Sequence, residues 1–408
     1  MRHVVGNTDL EEVAWRLRKK DDPPLTPASG STLKGRRIVF VLFNLELGGA
    51  ERQALILAKH LFEHEQAAVE VWGFNKSGPV AEICEQIGVP WRIVPFPFKG
   101  GRVARSMGLA RVALTLRRAR PDLLLPYTFV PNVVCGLVWR WAGARACVWN
   151  QRDEGRMPFV GDWARSAVRR TPMFISNSEV GAEFLRADLR VDLSKIRVIQ
   201  NGVSLTPSLD DRSAWRTRLD IDDECFVACM VANLHDMKDH LTLLRAWKRV
   251  VDAANGRKAV LVLAGRHDGA YESLTSLSRE LKLNGHVRFA GQVMDVPGLL
   301  SAVDLGVFSS VNEGCPNGVL ESMSAGLAVA GTDIDAIRSV VGPGSSEFLA
   351  PPKDHEALAG AILKLANDSA LRVIIGAENR RRVEERYTAA RTCESMVCVI
   401  KSVLYRQS

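Results

Sequence analysis

Short apolar runs of strand length alternate with helical patterns along most of this chain, and this alternation limits the fold more than any other feature. In the first half the runs are Arg37–Phe43, Val69–Phe74, Trp91–Val94, Leu123–Leu125, Ala146–Trp149 and Met173–Ser176. In the second half they are Phe226–Ala232, Ala259–Ala264, His286–Phe289, Leu305–Phe308 and Leu327–Ala330. Strands that alternate with helices favour parallel sheets covered on both faces. The sequence therefore predicts an α/β fold with doubly wound, Rossmann-like sheets.

The chain is long enough for two domains, because 408 residues with 47% hydrophobic content can form two separate cores. We expect a mobile N-terminal arm over residues 1–34, which are polar and contain a Pro-rich and Ser-rich stretch. A first Rossmann-like domain is expected over residues 35–204, joined by a C-terminal helix within 388–408, and a second over residues 205–387. The polar residues 204–224 are predicted to form the linker.

A strand, a broken loop and a helix are predicted in succession over residues 305–327. Glycine and proline interrupt the loop, and a helical pattern of apolar residues begins near Asn317. Glu313 falls on the loop and Glu321 about one turn into the helix. Backbone amides at a helix start attract anions, so a phosphate could rest on the amides of Asn317, Gly318, Val319 and Leu320. A phosphate between two carboxylates that bind hydroxyl groups describes a sugar nucleotide; two ordinary solvated acids are the alternative.

The residues around these glutamates form a specific pattern, Ser310-x-x-Glu313-Gly314-x-Pro316-Asn317-x-x-Leu320-Glu321-Ser322-Met323-x-x-Gly326. It resembles the E-x7-E signature of glycosyltransferase family 4, whose members are retaining enzymes with the GT-B fold of two Rossmann-like domains that face a cleft. The resemblance extends over residues 36–408. It implies a nucleotide diphosphate sugar as donor and no bound metal or cofactor. It also implies that Glu321 binds the ribose and that Glu313 binds the transferred sugar and stabilises positive charge at its anomeric carbon.

Two further segments resemble donor-binding loops of this family. Gly48 and Gly49 follow the first predicted strand in a Gly-Gly-x-Glu loop, which implies a position near the donor phosphate. Asn233 and Lys238 match an Arg-Leu-x-x-x-Lys segment, with asparagine in place of arginine. Asparagine cannot supply charge to a diphosphate, whereas Lys238 can stabilise the charge that develops on it, so Lys238 joins Glu313 as a catalytic candidate. The alternatives are a tight turn without a ligand and a surface lysine.

Spacing alone does not decide which residue handles the acceptor hydroxyl. Family members often carry a histidine just after the fourth strand, where this chain has Tyr127. Asp153 and Glu154 follow the next predicted strand. These three residues are the acceptor-site or base candidates. A structural salt bridge is an equally good interpretation of Arg152 and Asp153.

The chain is basic, with a net charge of +8 and a pI near 9.2, which indicates an acidic partner such as a nucleotide or an anionic lipid. A helix predicted over residues 102–120 carries six arginines among apolar residues. It could lie on an anionic membrane or present an ordinary solvated face. No interleaving of basic and aromatic residues supports nucleic-acid binding. Residues 1–34 lack the apolar core of a signal peptide, and the eight cysteines form no paired motif, so we expect a cytoplasmic chain, free or at the inner face of the membrane.

No metal site is predicted. Asp333-x-Asp335 has the spacing of a metal-binding D-x-D motif, but Asp220-x-Asp222 has it too, so a helix cap or loop acid is the preferred interpretation. The sequence predicts a retaining glycosyltransferase that moves a sugar from a nucleotide diphosphate sugar to a glycan or lipid-linked acceptor in surface polysaccharide or glycolipid synthesis. The alternatives are a sugar-nucleotide epimerase on the same fold and a non-catalytic sugar-nucleotide-binding protein.

Overall fold

The computed structural model describes residues 32–152, 161–204, 208–254 and 256–405. Their contacts divide them into two compact units. Unit 1 contains the described residues up to Asn201 together with those from Ala390 onward, and unit 2 contains those of Gly202–Ala389. Most of the predicted N-terminal arm lies outside the described residues.

Unit 1 is built on a parallel sheet whose order is β3-β2-β1-β4-β5-β6-β7. Its strands are β1 (Arg37–Leu42), β2 (Ala68–Gly73), β3 (Trp91–Ile93), β4 (Leu123–Pro126), β5 (Ala146–Gln151), β6 (Met173–Ser176) and β7 (Ile196–Val198). The order runs outward in both directions from β1, which is the doubly wound arrangement that the alternating pattern predicts.

Helices cover both faces of the unit 1 sheet because the side chains of each strand point alternately to either face. The helices are α1 (Gly49–Glu63), α2 (Pro79–Gln86), α3 (Arg102–Ala119), α4 (Phe129–Val138), α5 (Asp162–Arg170) and α6 (Glu179–Ala187). Alternate residues of β1 enter different cores on the two faces of the sheet. Ile38 and Phe40 pack with α1 and α2, whereas Val39, which lies between them, packs with α3 to α6 on the other face.

Unit 2 is built on a second parallel sheet, with the order β10-β9-β8-β11-β12-β13. Its strands are β8 (Phe226–Val231), β9 (Ala259–Ala264), β10 (Val287–Gly291), β11 (Leu305–Phe308), β12 (Val329–Thr332) and β13 (Leu349–Ala350). Its helices are α7 (Arg212–Arg218), α8 (His240–Ala253), α9 (Tyr271–Glu280), α10 (Val296–Ser301), α11 (Asn317–Ser324), α12 (Asp335–Val341), α13 (His355–Asn367) and α14 (Ser369–Arg386). Short 3₁₀ helices span Leu193–Lys195 in unit 1, and Asp236–Lys238 and Pro343–Phe348 in unit 2.

The last helix, α15 (Ala389–Leu404), packs on the unit 1 sheet although it follows unit 2 in the chain. Its buried side chains, including Met396 and Ile400, belong to the same core as Phe40 and α1. No helix among the described residues is long and apolar enough to cross a membrane. The eight cysteines are unpaired, and only Cys398 among them is partly exposed.

The predicted strands are all present, with ends shifted by at most two residues. The linker prediction is wrong in part. Residues 212–218 of that polar segment form α7, because Trp215 packs into a core of unit 2 and Arg216 is buried with the carboxylate of Asp304 and backbone carbonyls as partners. The short strands β7 and β13 were not predicted, because two or three residues carry too little periodicity.

Candidate functional site

The carboxyl edge of the unit 2 sheet brings together the two catalytic candidates. Strands β8 and β11 are parallel neighbours, and the strand order runs outward from them to β9 and β10 on one side and to β12 and β13 on the other. Ligands of open α/β sheets bind outside the carboxyl ends of the strands at such a reversal point. Lys238 follows β8 and Glu313 follows β11, so both lie at this point.

Lys238 and Glu313 form an ion pair, with Nζ of the lysine on Oε1 of the glutamate. The same Oε1 accepts a hydrogen bond of 2.8 Å from Oγ of Ser310. Oγ of Ser309 donates to the carbonyl of Lys238 at 2.8 Å, which ties the loop after β11 to the loop after β8. The side chains of Lys238 and Glu313 are 26% and 13% exposed. The glutamate is therefore held by two donors at the sheet edge, while the lysine remains accessible to a ligand.

Helix α11 begins at Asn317, as the sequence predicts, and follows the loop that carries Glu313. The amide of Leu320 donates to the carbonyl of Pro316 at 3.2 Å, so it is already used within the helix. Of the four amides expected to bind an anion, at Asn317, Gly318, Val319 and Leu320, that of Leu320 is therefore excluded. Glu321 lies one turn into the helix and is partly buried.

Gly318 lets the start of α11 lie directly against β8. A Cβ atom on this residue would be 2.2 Å from the carbonyl oxygen of Val231 and 3.0 Å from Cε1 of Phe308. Val319 and Leu320, which follow it, are fully buried in the core of unit 2. The helix start is therefore fixed at the sheet edge by close backbone packing on one side and by apolar anchors on the other.

Asn233 connects the loops that follow β8 and β9. Its Oδ1 accepts the backbone N–H of Arg266 at 3.1 Å, and the amide of Leu234 donates to the carbonyl of Arg266 at 2.9 Å. The guanidinium of Arg266 pairs with Asp268 through bonds of 2.6 and 2.9 Å. Asn233 thus has a structural partner in the described structure, at the position where the family pattern has an arginine.

The glycine pair Gly48 and Gly49 marks the start of α1 at the carboxyl end of β1 in unit 1. Gly48 precedes the helix, and its carbonyl accepts the amide of Arg52 at 3.0 Å. A Cβ on Gly48 would lie 2.7 Å from Oε2 of Glu51. This is the strand, glycine turn and helix that the sequence predicts.

Tyr127 follows β4 and is 1% exposed. Its ring lies 6.0 Å from that of Phe40, and the guanidinium carbon of Arg152 lies 4.8 Å from its ring centroid. Its hydroxyl is buried beside Arg152 and makes no hydrogen bond of normal geometry with the described residues. Burial raises the pKa of Tyr127. The other two acceptor-site candidates, Asp153 and Glu154, lie outside the described residues.

Metal coordination has no support in the described ranges, where no group of three or more His, Cys, Asp or Glu side chains could hold an ion. Asp333 of the D-x-D sequence pairs with Arg338, with Nε on Oδ1 at 2.6 Å. Asp335 is the first residue of α12, where a carboxylate interacts favourably with the positive end of the helix dipole.

Two family profiles match the chain. "Glycosyltransferase Family 4" matches residues 47–206, and "Glycosyl transferases group 1" matches residues 225–368. The chain belongs to the family 4, group 1 glycosyltransferases. Together the two matches span most of both Rossmann-like units.

Relatives and solved structures agree with this family. The chain is 28% identical to the lipopolysaccharide core biosynthesis glycosyltransferase LpsE of Rhizobium meliloti, over 66% of this chain and 74% of that protein. It is 26% identical to an Escherichia coli UDP-Gal:alpha-D-GlcNAc-diphosphoundecaprenol alpha-1,3-galactosyltransferase, over 51% of this chain and only 54% of that protein. The fold matches Anabaena HepE in complex with UDP and glucose, with a TM-score of 0.78 and 21% identity, covering 90% of this chain and all of the other. The GT-B fold expected from the sequence is confirmed.

This glycosyltransferase departs from the pattern of its family at two positions described above. The neutral Asn233 takes the position of an arginine and holds a neighbouring loop instead. Tyr127 takes the position of a histidine and is enclosed in a core of unit 1. The sequence identified both departures, but it did not reveal that Arg152 lies over the ring of Tyr127 or that Ser310 donates to Glu313.

Proposed function

We propose that this protein is a retaining glycosyltransferase that moves a sugar from a nucleotide diphosphate sugar to a glycan or lipid-linked acceptor in surface polysaccharide or glycolipid synthesis. The observation that carries the proposal is Lys238 beside Glu313 at the carboxyl edge of the unit 2 sheet, next to the start of α11. The similar Anabaena structure contains UDP, and the Escherichia coli relative is named for UDP-Gal. Both support a uridine diphosphate hexose as donor.

The donor lies along the loop and helix of residues 313–321 in this proposal. Lys238 and the first amides of α11 stabilise the negative charge of the leaving diphosphate. Glu321 accepts hydrogen bonds from the ribose hydroxyls. Glu313 binds the transferred sugar and stabilises positive charge at its anomeric carbon as the bond to the diphosphate breaks. Asn233 supports the site through the loop after β9.

The acceptor hydroxyl must lose its proton when it takes the sugar. Tyr127 is poorly suited to receive that proton, because its raised pKa keeps the phenol protonated at neutral pH. Of the three candidates, Asp153 and Glu154 therefore remain as the bases of this proposal. No metal ion takes part, and protein groups neutralise the diphosphate.

Peripheral contact with an anionic membrane belongs to the same proposal, and α3 is the surface that supports it. Val103, Met107 and Leu114 are 74%, 68% and 59% exposed. At 100° per residue they lie within roughly 40° of one another around the helix axis. The helix contains no acidic residue, and its exposed arginines include Arg111 and Arg117. An apolar stripe among cations suits the interface of an anionic bilayer.

Vesicle sedimentation tests this membrane contact. We expect wild type to bind vesicles that contain phosphatidylserine and to bind pure phosphatidylcholine vesicles less. Replacing Val103, Met107 and Leu114 by serine should reduce the binding. The control replaces Val373 and Ile374 of α14, which are 71% and 64% exposed, by serine. Equal loss in both variants, or none in the α3 variant, would remove α3 from the proposal.

A thermal-shift panel with UDP, GDP, ADP and CMP on wild type and Glu321→Ala tests the donor site first. A nucleotide at about a hundred times its Kd adds roughly 2.7 kcal/mol of stability, which is several degrees for a domain of this size. We expect UDP to give the largest shift and the variant to weaken it. No shift with any nucleotide in wild type would contradict the donor site.

Turnover then separates the remaining alternatives. NMR of the product should show the same anomeric configuration as the donor sugar, which is what retention means. Conversion of the free sugar nucleotide into its epimer without any acceptor would instead favour an epimerase. Tight UDP binding without turnover across phosphorylated and polyprenyl-linked acceptors would favour a non-catalytic binder.

A further inference from the structure

The carboxyl edge of the unit 1 sheet contains a cluster of buried polar side chains that the donor chemistry does not use. Tyr127 pairs with Asn150 in an isolated bridge beyond β4, and Asn150 is part of β5. The backbone N–H of Asn177, just beyond β6, donates to the backbone carbonyl of Gln151 at 3.2 Å. Because β4, β5 and β6 are consecutive in the sheet, these residues are neighbours. Tyr127, Asn150 and Asn177 are each at most 3% exposed.

Arg152 extends across this edge and is held there by neutral groups. Its Nη2 donates to Oδ1 of Asn150 at 3.1 Å, and its Nη1 donates to Oδ1 of Asn201 at 3.2 Å. Its guanidinium also lies over the ring of Tyr127. Within the described ranges no carboxylate forms an ion pair with it. A guanidinium is always charged, so its enclosure without a counter-charge favours the binding of an anion.

Unused hydrogen-bonding atoms in this cluster match an oxyanion with a hydroxyl group beside it. Nε of Arg152, Oη of Tyr127 and Oδ1 of Asn177 are buried and make no hydrogen bond of normal geometry in the part of the chain that the structure describes. Buried polar atoms are normally paired, so each one calls for an explanation. Two of the five N–H groups of Arg152 are used by the two asparagines, which leaves three donors for a ligand. The residue as a whole is partly exposed, so a ligand can approach its side chain, although Nε itself is buried.

We propose that this cluster, Arg152 with Tyr127 and Asn177, binds a phosphate group of the acceptor. The guanidinium and the phenol donate to phosphate oxygens, while the amide oxygen of Asn177 accepts from a hydroxyl next to the phosphate. Arg152 is a binding residue here and exchanges no proton. The assignment of this phosphate to an acceptor rests on the glycosyltransferase function proposed above, whereas the phosphate site itself does not.

The matched pair of variants lies at the two ends of one strand. Arg152→Gln removes the cation at the carboxyl end of β5, and Arg145→Gln removes an exposed cation just before its amino end. Glycerol 1-phosphate is titrated into the full chain in a Lys238→Gln background, so that the donor site of unit 2 does not compete for phosphate. We expect Arg152→Gln to weaken binding about tenfold or more, as for the loss of a charge-assisted hydrogen bond, and Arg145→Gln to leave it unchanged. Equal affinities in the two variants would overturn the proposal.

The Nε–H resonance of Arg152 gives a second readout that needs no loss of the cation. In ¹⁵N spectra it is assigned by its absence in Arg152→Lys, and it should move on addition of glycerol 1-phosphate but not of glycerol. No movement at phosphate saturation would refute the site even if Arg152→Gln failed to fold.

The source of the phosphate is resolved by comparing glycerol 1-phosphate with a short polyprenyl diphosphate. Dependence on Arg152 with the polyprenyl ligand bound more tightly would support a lipid-linked acceptor, and dependence with equal affinities would support a soluble phosphorylated sugar. Binding of either ligand unaffected by Arg152→Gln would count against the site. The UDP-induced thermal shift should persist in Arg152→Gln, so loss of the phosphate site and failure of the donor site give different results.

Discussion

Substituting alanine at Gly318 tests the packing that fixes the start of α11. The new Cβ would lie 2.2 Å from the carbonyl oxygen of Val231, which belongs to the backbone of β8 and cannot rotate away. Relief requires the helix to move by roughly 1 Å, and overpacking of this kind typically costs about 1–3 kcal/mol. Alanine favours a helix over glycine by at most about 1 kcal/mol. We therefore expect the free energy of unfolding of unit 2 to fall by about 1–2 kcal/mol.

Gly360→Ala is the matched control, because it makes the same change in the same unit. Gly360 lies within α13, is exposed, and a Cβ there would meet no atom within 4 Å. Here only the helix preference acts, so we expect a gain of about 0.5–1 kcal/mol.

Calorimetry should then show opposite shifts of the unit 2 transition. At about 2–4 °C per kcal/mol, the melting temperature falls by about 2–8 °C in Gly318→Ala and rises by a few degrees in Gly360→Ala. The transition of unit 1 serves as an internal reference and stays in place. A melting temperature in Gly318→Ala equal to or above wild type would refute the argument that glycine is required for the approach of α11 to β8.

Three further predictions follow from single side chains. Glu313→Gln should abolish transfer yet bind UDP about twofold to fivefold more tightly by calorimetric titration, because Lys238 loses its competing partner; weaker UDP binding would contradict this reasoning. Tyr127→Phe should leave the unfolding free energy unchanged or raise it by about 1 kcal/mol in urea titrations, since the deleted hydroxyl has no described partner; a loss above about 1 kcal/mol would reveal one. His240 is buried, and desolvation lowers its pKa to about 3 from 6.5, so it stays neutral in the folded state. Its contribution is complete above pH 6.5 and is lost as pH falls, because the unfolded state takes up the proton, and at pH 5 this loss is about 2 kcal/mol. The difference in stability between wild type and His240→Leu should therefore change by that amount between about pH 7 and pH 5, and a constant difference would contradict a neutral buried histidine.

The sequence predicted the central part of unit 2 well because the signals there are local. Leu305–Phe308 is an uninterrupted apolar run, and the glycine and proline breaks after it leave one position, Asn317, for a helix to begin. The same reasoning failed at α7, whose seven residues include three arginines. Arg216 in that helix is buried because Asp304 and the carbonyl of Ala302, both distant in sequence, surround it together with the nearer carbonyl of Cys225. Such tertiary partners are invisible to periodicity.

The side-chain partners within the candidate sites were also beyond what the sequence could predict. The sequence named Lys238 and Glu313 as catalytic candidates through their resemblance to two family segments, but it could not show that the two side chains pair with each other. It left a structural salt bridge as an equally good interpretation of Arg152 and Asp153, and Asp153 lies outside the described residues. The described partners of Arg152 are Asn150 of the same strand end, and Asn201 and the ring of Tyr127 from other strand ends. The sequence signal that could have pointed to them is the repeated occurrence of asparagine just after or at the ends of unit 1 strands, as at Asn150, Asn177 and Asn201.

Asn233 shows how a departure from the family pattern can be compensated elsewhere in the site. An arginine there would add charge for the diphosphate, but it has no acceptor atom and could not receive the amide of Arg266 as Oδ1 of asparagine does. The nearby guanidinium of Arg266 does not restore the charge, since Asp268 holds it in two bonds. Under the proposed function, donor affinity then depends more on Lys238 and on the fixed amides of α11 than on a second cation. That dependence gives the close packing at Gly318 its functional weight, because a helix start displaced by roughly 1 Å could not be replaced by a stronger charge.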